Sequence, residues 1–413
     1  MNIMVVFIAV ILVMIIEYLL VKKKNSRDEE DHDNYGNNYH DEYPFHSKYL
    51  LTKNEYYFYN KLKAVTEPIN LQILAKIRLA DLIEINDDIK GNPNLNNNIC
   101  PQEQDYNDAL AVCNHLGIPL HRIDFVKEYW DNVFKYFLDE LKKGRTPNPD
   151  VMCNKYIKFD YFVREAKRLG ADYIATGHYA KMEDGYLKRS HDTNKDQTYF
   201  LSQLSHEQLK NVIFPLGDID KPEVRKIALK YGLKTAKKKD STGICFIGER
   251  NFKNFLKNYL PNQEGDIVDI EKNKVLGKHI GLMYYTIGQR KGLEVGGTKD
   301  KLFVVGKNLD KNILYVCEGE DNDYLFSDSC IVENVNFNCD ERPTNMTAKF
   351  RYRQEDHAIN VQYLDDGNLL VKYDSIKSVT PGQACVFYDG DICLGGGIIK
   401  EVRKNGKKLW YLL

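Results

Sequence analysis

Near Gly281 the hydrophobic pattern of this 413-residue chain changes its period. Before that point, runs at helical spacing alternate with short strand-like runs. Residues 105–117 read as an amphipathic helix, 119–125 as a strand, and 127–143 as a helix carrying Tyr129, Trp130, Val133, Phe134 and Phe137 at core spacing. A further helix over 155–169 ends at Gly170 and leads to an apolar strand at 172–176. Such alternation predicts an α/β domain with a doubly wound parallel sheet, whose ligands sit beyond the C-terminal strand ends. Asp220, Pro222 and Glu223 mark the start of another helix that stops at Gly232, inside a smaller, mostly helical segment. After Gly281 come short Val/Ile/Tyr-rich runs at 302–305, 313–317, 348–352, 358–363, 369–373, 384–388 and 392–400, divided by Gly, Asn and Asp. They predict a small antiparallel β-barrel. Gly395-Gly396-Gly397 follows a strand without opening a helix, which predicts a bulge or tight bend and not a phosphate loop.

The N-terminus obeys different rules. Residues 3–16 are an unbroken apolar run that resumes after Glu17 as far as Val21. A helix of about 19 such residues reaches roughly 28 Å, enough to cross a bilayer. No basic residue precedes the run and Lys22-Lys23-Lys24 follow it, so the expectation is an uncleaved inner-membrane anchor (1–24) with residues 25–413 in the cytoplasm. Residues 25–44 form a polar linker too poor in aliphatic residues to fold alone. A module at 45–91 opens with a capping box, Thr52 and Glu55, and contains a strand-like run over 71–77. It resembles the opening of an uncharacterised bacterial domain found behind membrane anchors. A turn-rich stretch at 86–98 marks the junction with the α/β region.

Charge and cysteine usage narrow the chemistry. The formal charge is −1, with basic runs such as Lys237-Lys238-Lys239 far from the acidic stretch 28–33, so a polyanionic partner is not excluded. Nine cysteines, an odd number without CxxC pairs or zinc-like Cys/His spacing, predict neither a disulfide scaffold nor a metal site. Two cysteines stand in reactive settings. Cys153 follows Asn148-Pro149-Asp150 and is expected just ahead of a helix, with Asp150 able to move a proton. Cys245 follows three lysines and a flexible Ser241-Thr242-Gly243, which suits a mobile loop carrying a reactive sulfur. His178, in Thr176-Gly177-His178 after a strand, is more often a satisfied structural residue than a working one, whereas Gly177 permits close backbone approach.

From about residue 100 onward the chain resembles the bacterial tRNA-specific 2-thiouridylases. Six blocks carry the likeness, in family order: 144–150 (GRTPNPD), 175–179 (ATGHY), 194–201 (NKDQTYFL), 239–250 (KDSTGICFIGER), 285–293 (YTIGQRKGL) and 380–383 (TPGQ). The resemblance implies ATP, with Mg2+ and no prosthetic group, adenylating C2 of a tRNA wobble uridine before sulfur replaces the oxygen. It implies that Cys245 carries a persulfide from a relay protein and that Cys153 attacks it, releasing sulfide or closing a disulfide with Cys245. It assigns Asp150 to proton transfer, Asn148, Pro149 and Asp150 to the target base, Gly177 to the nucleotide, and His178, Lys195, Asp196, Gln197, Arg351, Tyr352 and Gln383 to tRNA. The domains expected are a truncated adenylating α/β domain at 100–210, a central tRNA-binding domain at 211–282 and the barrel at 283–413. One departure accompanies the likeness. The family begins with a strand and a Ser-Gly-Gly-x-Asp-Ser pyrophosphate loop, and no such sequence occurs in the 413 residues. The parallel sheet is therefore expected to be incomplete, and an inactive membrane-tethered tRNA-binding remnant or a chimeric gene product is the alternative expectation.

Overall fold

The structure, a computed structural model, describes residues 73–76, 101–238, 252–339 and 346–412. The anchor, the linker, the capping box at Thr52 and the loop holding Cys245 lie outside them. Among the described residues no helix is long and apolar enough to cross a membrane.

The α/β domain opens with strand β1 (Ile73–Lys76), helix α1 (Pro101–Leu116) and strand β2 (Leu120–Ile123). β1, expected to belong to a separate N-terminal module, instead pairs in parallel with β2, from Ile73 opposite Leu120 to Lys76 opposite Ile123. Helix α2 (126–142) buries Tyr129, Val133, Phe134, Phe137 and Leu141 along one side, as its spacing predicts. Helix α3 (149–168) is π-helical over Cys153–Tyr161. Gln208, from a short helix further along the chain, donates to the carbonyls of Lys155 (2.9 Å) and Phe159 (3.2 Å), satisfying main-chain acceptors where α3 is widened.

Strand β3 (Ile174–Ala175) leads into the hairpin β4 (Ala180–Glu183) and β5 (Tyr186–Arg189). Short helices α4 (Thr198–Leu201) and α5 (His206–Leu209) precede strand β6 (Val212–Ile213), which pairs in parallel with β3. Among the described residues the α/β domain thus has two parallel pairs, β1–β2 and β3–β6, and no described strand joins them. Helix α6 (Lys221–Lys230) has Pro222 in its first turn, as expected, and α7 (Phe252–Leu256) packs Phe255 edge-on against Phe134 of α2.

Two β-structures complete the chain. Strands β7 (Gly265–Asp269), β8 (Lys274–His279), β9 (Leu302–Asn308) and β10 (Ile313–Glu318) form a sheet in the order β8-β7-β10-β9, with only β7–β10 parallel. This corrects the expectation that the runs at 302–305 and 313–317 belong to the barrel, and the boundary expected at 282/283 falls inside the sheet. Alternation alone reports that a run is a strand, not which sheet receives it. The barrel proper consists of β11 (Phe326–Phe337), β12 (Met346–Lys349), β13 (His357–Tyr363), β14 (Leu369–Lys377), β15 (Ala384–Asp389) and β16 (Ile392–Lys404). Its order β11-β14-β13-β12-β15-β16 closes through β11–β16, and every pairing is antiparallel. The triple glycine lies where β16 touches both neighbours: a Cβ on Gly395 (φ +129°) would meet the Asn336 carbonyl at 2.1 Å, and the β15–β16 register shifts beside it. The tight-bend reading holds. β5 adds to the outside of the barrel at Lys188 opposite Ile392, and a short strand β17 (Lys407–Lys408) folds back on β16.

Candidate functional site

The Asn148-Pro149-Asp150 signal is a helix start. Asn148 is extended and its Oδ1 accepts from the Asp150 amide at 3.2 Å, while Pro149 occupies the first helical position, where a missing N–H costs nothing. Cys153 therefore lies within α3 and not ahead of it, and it is buried, at 1% exposure. Its neighbour Asn154 donates to the Phe200 carbonyl at 2.9 Å, and the Phe200 ring meets Tyr352 with centroids 4.5 Å apart. Asp150 is half-buried one turn before the sulfur.

The loop feeding this helix, 144–148, is held by main-chain contacts from two other parts of the molecule. From the barrel, the Pro381 carbonyl accepts from the Thr146 amide (2.9 Å) and Gln383 Nε2 donates to the Thr146 carbonyl (2.7 Å). Between them Gly382 (φ +92°) must stay a glycine, because a Cβ there would stand 2.9 Å from the Thr146 nitrogen. From the four-stranded sheet, Lys307 of β9 donates to the Gly144 carbonyl at 2.6 Å. Lys307 is buried, and that burial pushes its ammonium down to about 7. Arg145 bridges Glu140 of α2 (3.1 Å) and Glu333 of β11 (2.8 Å). Three regions thus converge on the segment that presents Asn148, Pro149, Asp150 and Cys153.

The remaining expected residues divide into two groups. Gly177 follows β3, and His178 beside it contacts Thr176 Oγ1 through Nδ1 (2.9 Å) and approaches Lys158 Nζ through Nε2 (3.4 Å). Lys195 is half-buried, and Lys155, in the first turns of α3, donates to Gln203 (3.2 Å) while burial lowers its pKa. The second group, expected to touch RNA, is turned inward. Asp196 accepts from the Ser190 amide (3.1 Å) and Thr198 Oγ1 (2.7 Å), and burial raises its pKa against those hydrogen bonds. Gln197 pairs with Tyr179 through both its amide N–H (2.8 Å) and its side-chain oxygen (3.0 Å). The Arg351 guanidinium donates to the carbonyls of Ile287 and Ser378 (2.7 Å each) and to Thr380 Oγ1 (2.9 Å). Both Asp196 oxygens, the Gln197 side-chain oxygen and one Arg351 nitrogen are thus engaged in holding loops in place. Lys238, offered as one of the cations activating Cys245, pairs with Asp108 and Asp105 of α1. Lys307 is not recognisable from sequence: a lone lysine among Val and Gly in a strand reads as its solvent side.

Models of three domain families match the chain in order: a tRNA methyl transferase HUP domain over residues 81–249, a tRNA methyl transferase PRC-barrel domain over 253–318, and an aminomethyltransferase beta-barrel domain over 327–399. A protein of Mycoplasmopsis synoviae named tRNA-specific 2-thiouridylase MnmA is 56% identical over 330 residues, covering 79% of this chain and 89% of its own. One of the same name from Mesoplasma florum is 58% identical, covering 77% and 89%, and one from Bacillus cytotoxicus 57%, covering 76% and 87%. The chain belongs to the tRNA-specific 2-thiouridylase family. The fold agrees with that family's matches: the four-stranded sheet falls within the second and the closed barrel accounts for the third. The first match begins at residue 81, after β1. Among the described residues no cluster of His, Cys, Asp or Glu is arranged to hold a metal.

Proposed function

We propose that this chain is a tRNA 2-thiouridylase, a sulfurtransferase that replaces the C2 oxygen of the tRNA wobble uridine with sulfur. Cys245 carries the incoming persulfide; Cys153 attacks its inner sulfur, closing a Cys153–Cys245 disulfide and expelling the outer sulfur as sulfide, which displaces the activated oxygen from C2. The supporting observation is the pinned helix start: Cys153 is buried within the first two turns after the Asn148 cap, and the loop that leads into the helix has its carbonyls gripped by Lys307 and Gln383. A relay between two sulfurs needs one of them fixed to within a few tenths of an ångström while the other is delivered to it. Asn148, Pro149 and Asp150 meet the target base, which must leave its stack to reach so buried a thiol, and Asp150 moves the proton. His178, Lys195 and Tyr352 contact the tRNA around it, while Arg351, Asp196, Gln197 and Gln383 shape that surface from within. A persulfide-bearing partner supplies the sulfur, residues 3–21 tether the chain to the inner membrane, and residues 25–413 lie in the cytoplasm.

ATP, with Mg2+, would turn the poor leaving oxygen into a good one. The residues present fit only part of that ligand. Gly177 lies at the C-terminal end of a parallel strand, where nucleotides bind in open α/β sheets, yet the sequence contains no Ser-Gly-Gly-x-Asp-Ser loop to cradle the phosphates. The two parallel strand pairs that no described strand joins favour a second reading, a tRNA binder that does not adenylate. Mass spectrometry of unmodified tRNA incubated with the full chain, ATP and a persulfide donor separates the two. Thiolation that disappears in Cys245→Ala and Cys153→Ala is the expected result, and tRNA binding without any thiolation would establish the second reading.

A further inference from the structure

The turn at 286–293, within one of the six family-like blocks, carries none of the residues assigned to sulfur transfer above. It is fixed from inside. Gln289 Oε1 accepts from the Thr286 amide (3.0 Å) and Nε2 donates to the Lys291 carbonyl (2.9 Å). Main-chain bonds from Gly288 to the Val304 carbonyl (2.7 Å) and from Val304 to the Gln289 carbonyl (3.0 Å) rivet it to β9. Beneath it Gly288 (φ +79°) sits where a Cβ would come within 2.5 Å of Ser378 Oγ, and Arg351 grips the Ile287 carbonyl.

What the turn presents outward is Arg290 and Lys291. Both are exposed, and among the described residues neither side chain has an ion pair or hydrogen bond. Lys253 of α7 joins them, since a Cβ on Gly292 would lie 3.8 Å from its Nζ. Glu294, the nearest carboxylate along the turn, bridges none of the three among the described residues. A surface lysine on a loose loop gives up side-chain and backbone freedom when it meets a ligand, and here the backbone part is already lost on folding. Lys253 Nζ rests over the Tyr285 ring, 5.7 Å from its centroid, and none of the three cations meets a carboxylate among the described residues. Cations side by side without a counter-ion select a polyanion, and each phosphate neutralised releases a counterion. The turn is also tied to the site: the guanidinium that holds Ile287 bonds Thr380 as well, and the next residue, Pro381, holds Thr146.

We propose that Arg290, Lys291 and Lys253 form a clamp for the phosphodiester backbone of the RNA substrate, placing the strand whose base enters beside Cys153. The proposal rests on tRNA being the substrate. It is tested by binding of the full chain to an unmodified tRNA transcript across a salt titration. For Arg290→Ala/Lys291→Ala the slope of log affinity against log salt should become shallower by about 1.8, and adding Lys253→Ala should remove roughly 0.9 more. The charge-keeping pair Arg290→Lys/Lys291→Arg should retain the parent slope, which separates charge from damage to the turn. A parent-like slope in the alanine variants overturns the clamp alone. Failure of the parent chain to bind tRNA at all would overturn the substrate reading and the clamp with it.

Discussion

The closed barrel and the parallel sheet divide the molecule's order unequally. Every barrel strand from β11 to β16 has a partner on both sides, and Val332, Val371, Val386, Phe387 and Ile399 are wholly buried. Among the described residues the parallel strands of the α/β domain form two pairs, of four and of two residues, β1–β2 and β3–β6. The reactive loop belongs to the α/β domain, yet the contacts that fix its backbone come from Lys307, Pro381 and Gln383 in the β-structures. A site can thus borrow its rigidity from a neighbour when its own sheet is short.

The largest effect should appear in amide hydrogen exchange. Barrel amides such as those of Val332 and Val386 are expected to exchange at least about a thousandfold more slowly than those of Ile174 and Thr176, which bond Asn211 and Ile213. Equal protection would mean that the parallel strands unfold only with the barrel and would erase the contrast. Next comes the buried Lys307, which ties the four-stranded sheet to the reactive loop. Its folded value of about 7 lies below the ordinary lysine value near 10.4, so between those limits the unfolded chain binds the extra proton. Stability should rise with pH across that window, by on the order of 5 kcal/mol, and level off below it, where Lys307 is charged in both states. Lys307→Met should flatten this rise in urea melts at pH 7 to 10, whereas an unchanged rise would place the titration elsewhere. The smallest effect belongs to Gln383→Ala, which removes one hydrogen bond to the Thr146 carbonyl. A loss of about 1 kcal/mol is expected, together with faster alkylation of Cys153 relative to the barrel cysteines as the loop loosens. Alkylation at the parent rate would show that Pro381 and Lys307 suffice.

Much of the architecture was legible because period and punctuation carry it. Core spacing along α2 and Pro222 in α6 correspond to what forms, and Asn148-Pro149 marks a boundary at the residue where α3 begins, though the helix itself was expected to start six residues later, at 155. The wider π-helical stretch from Cys153 to Tyr161 leaves no mark in a hydrophobic pattern, since its extra acceptors are met by Gln208, a residue distant in sequence. Which strands share a sheet was equally hidden: β9 and β10 are apolar runs of the same length as barrel strands but pair with β7 and each other. Motif resemblance reached Arg351, Asp196 and Gln197, but a polar residue in a motif looks the same whether it faces a ligand or a backbone carbonyl. Lys307 shows the converse, because only burial distinguishes it from the lysines that cover the surface.

The grip on residues 144–146 passes through carbonyl and amide groups, which every residue there but proline would supply alike. The geometry of the reactive loop is therefore encoded away from the loop itself. The side chain at Thr146 can drift without moving the main-chain anchors, while Arg145 stays tied to Glu140 and Glu333, and Lys307, Gly382 and Gln383, well over a hundred positions later in sequence, have almost no freedom to change. Mutational tolerance around this cysteine should follow the holders, not the segment held.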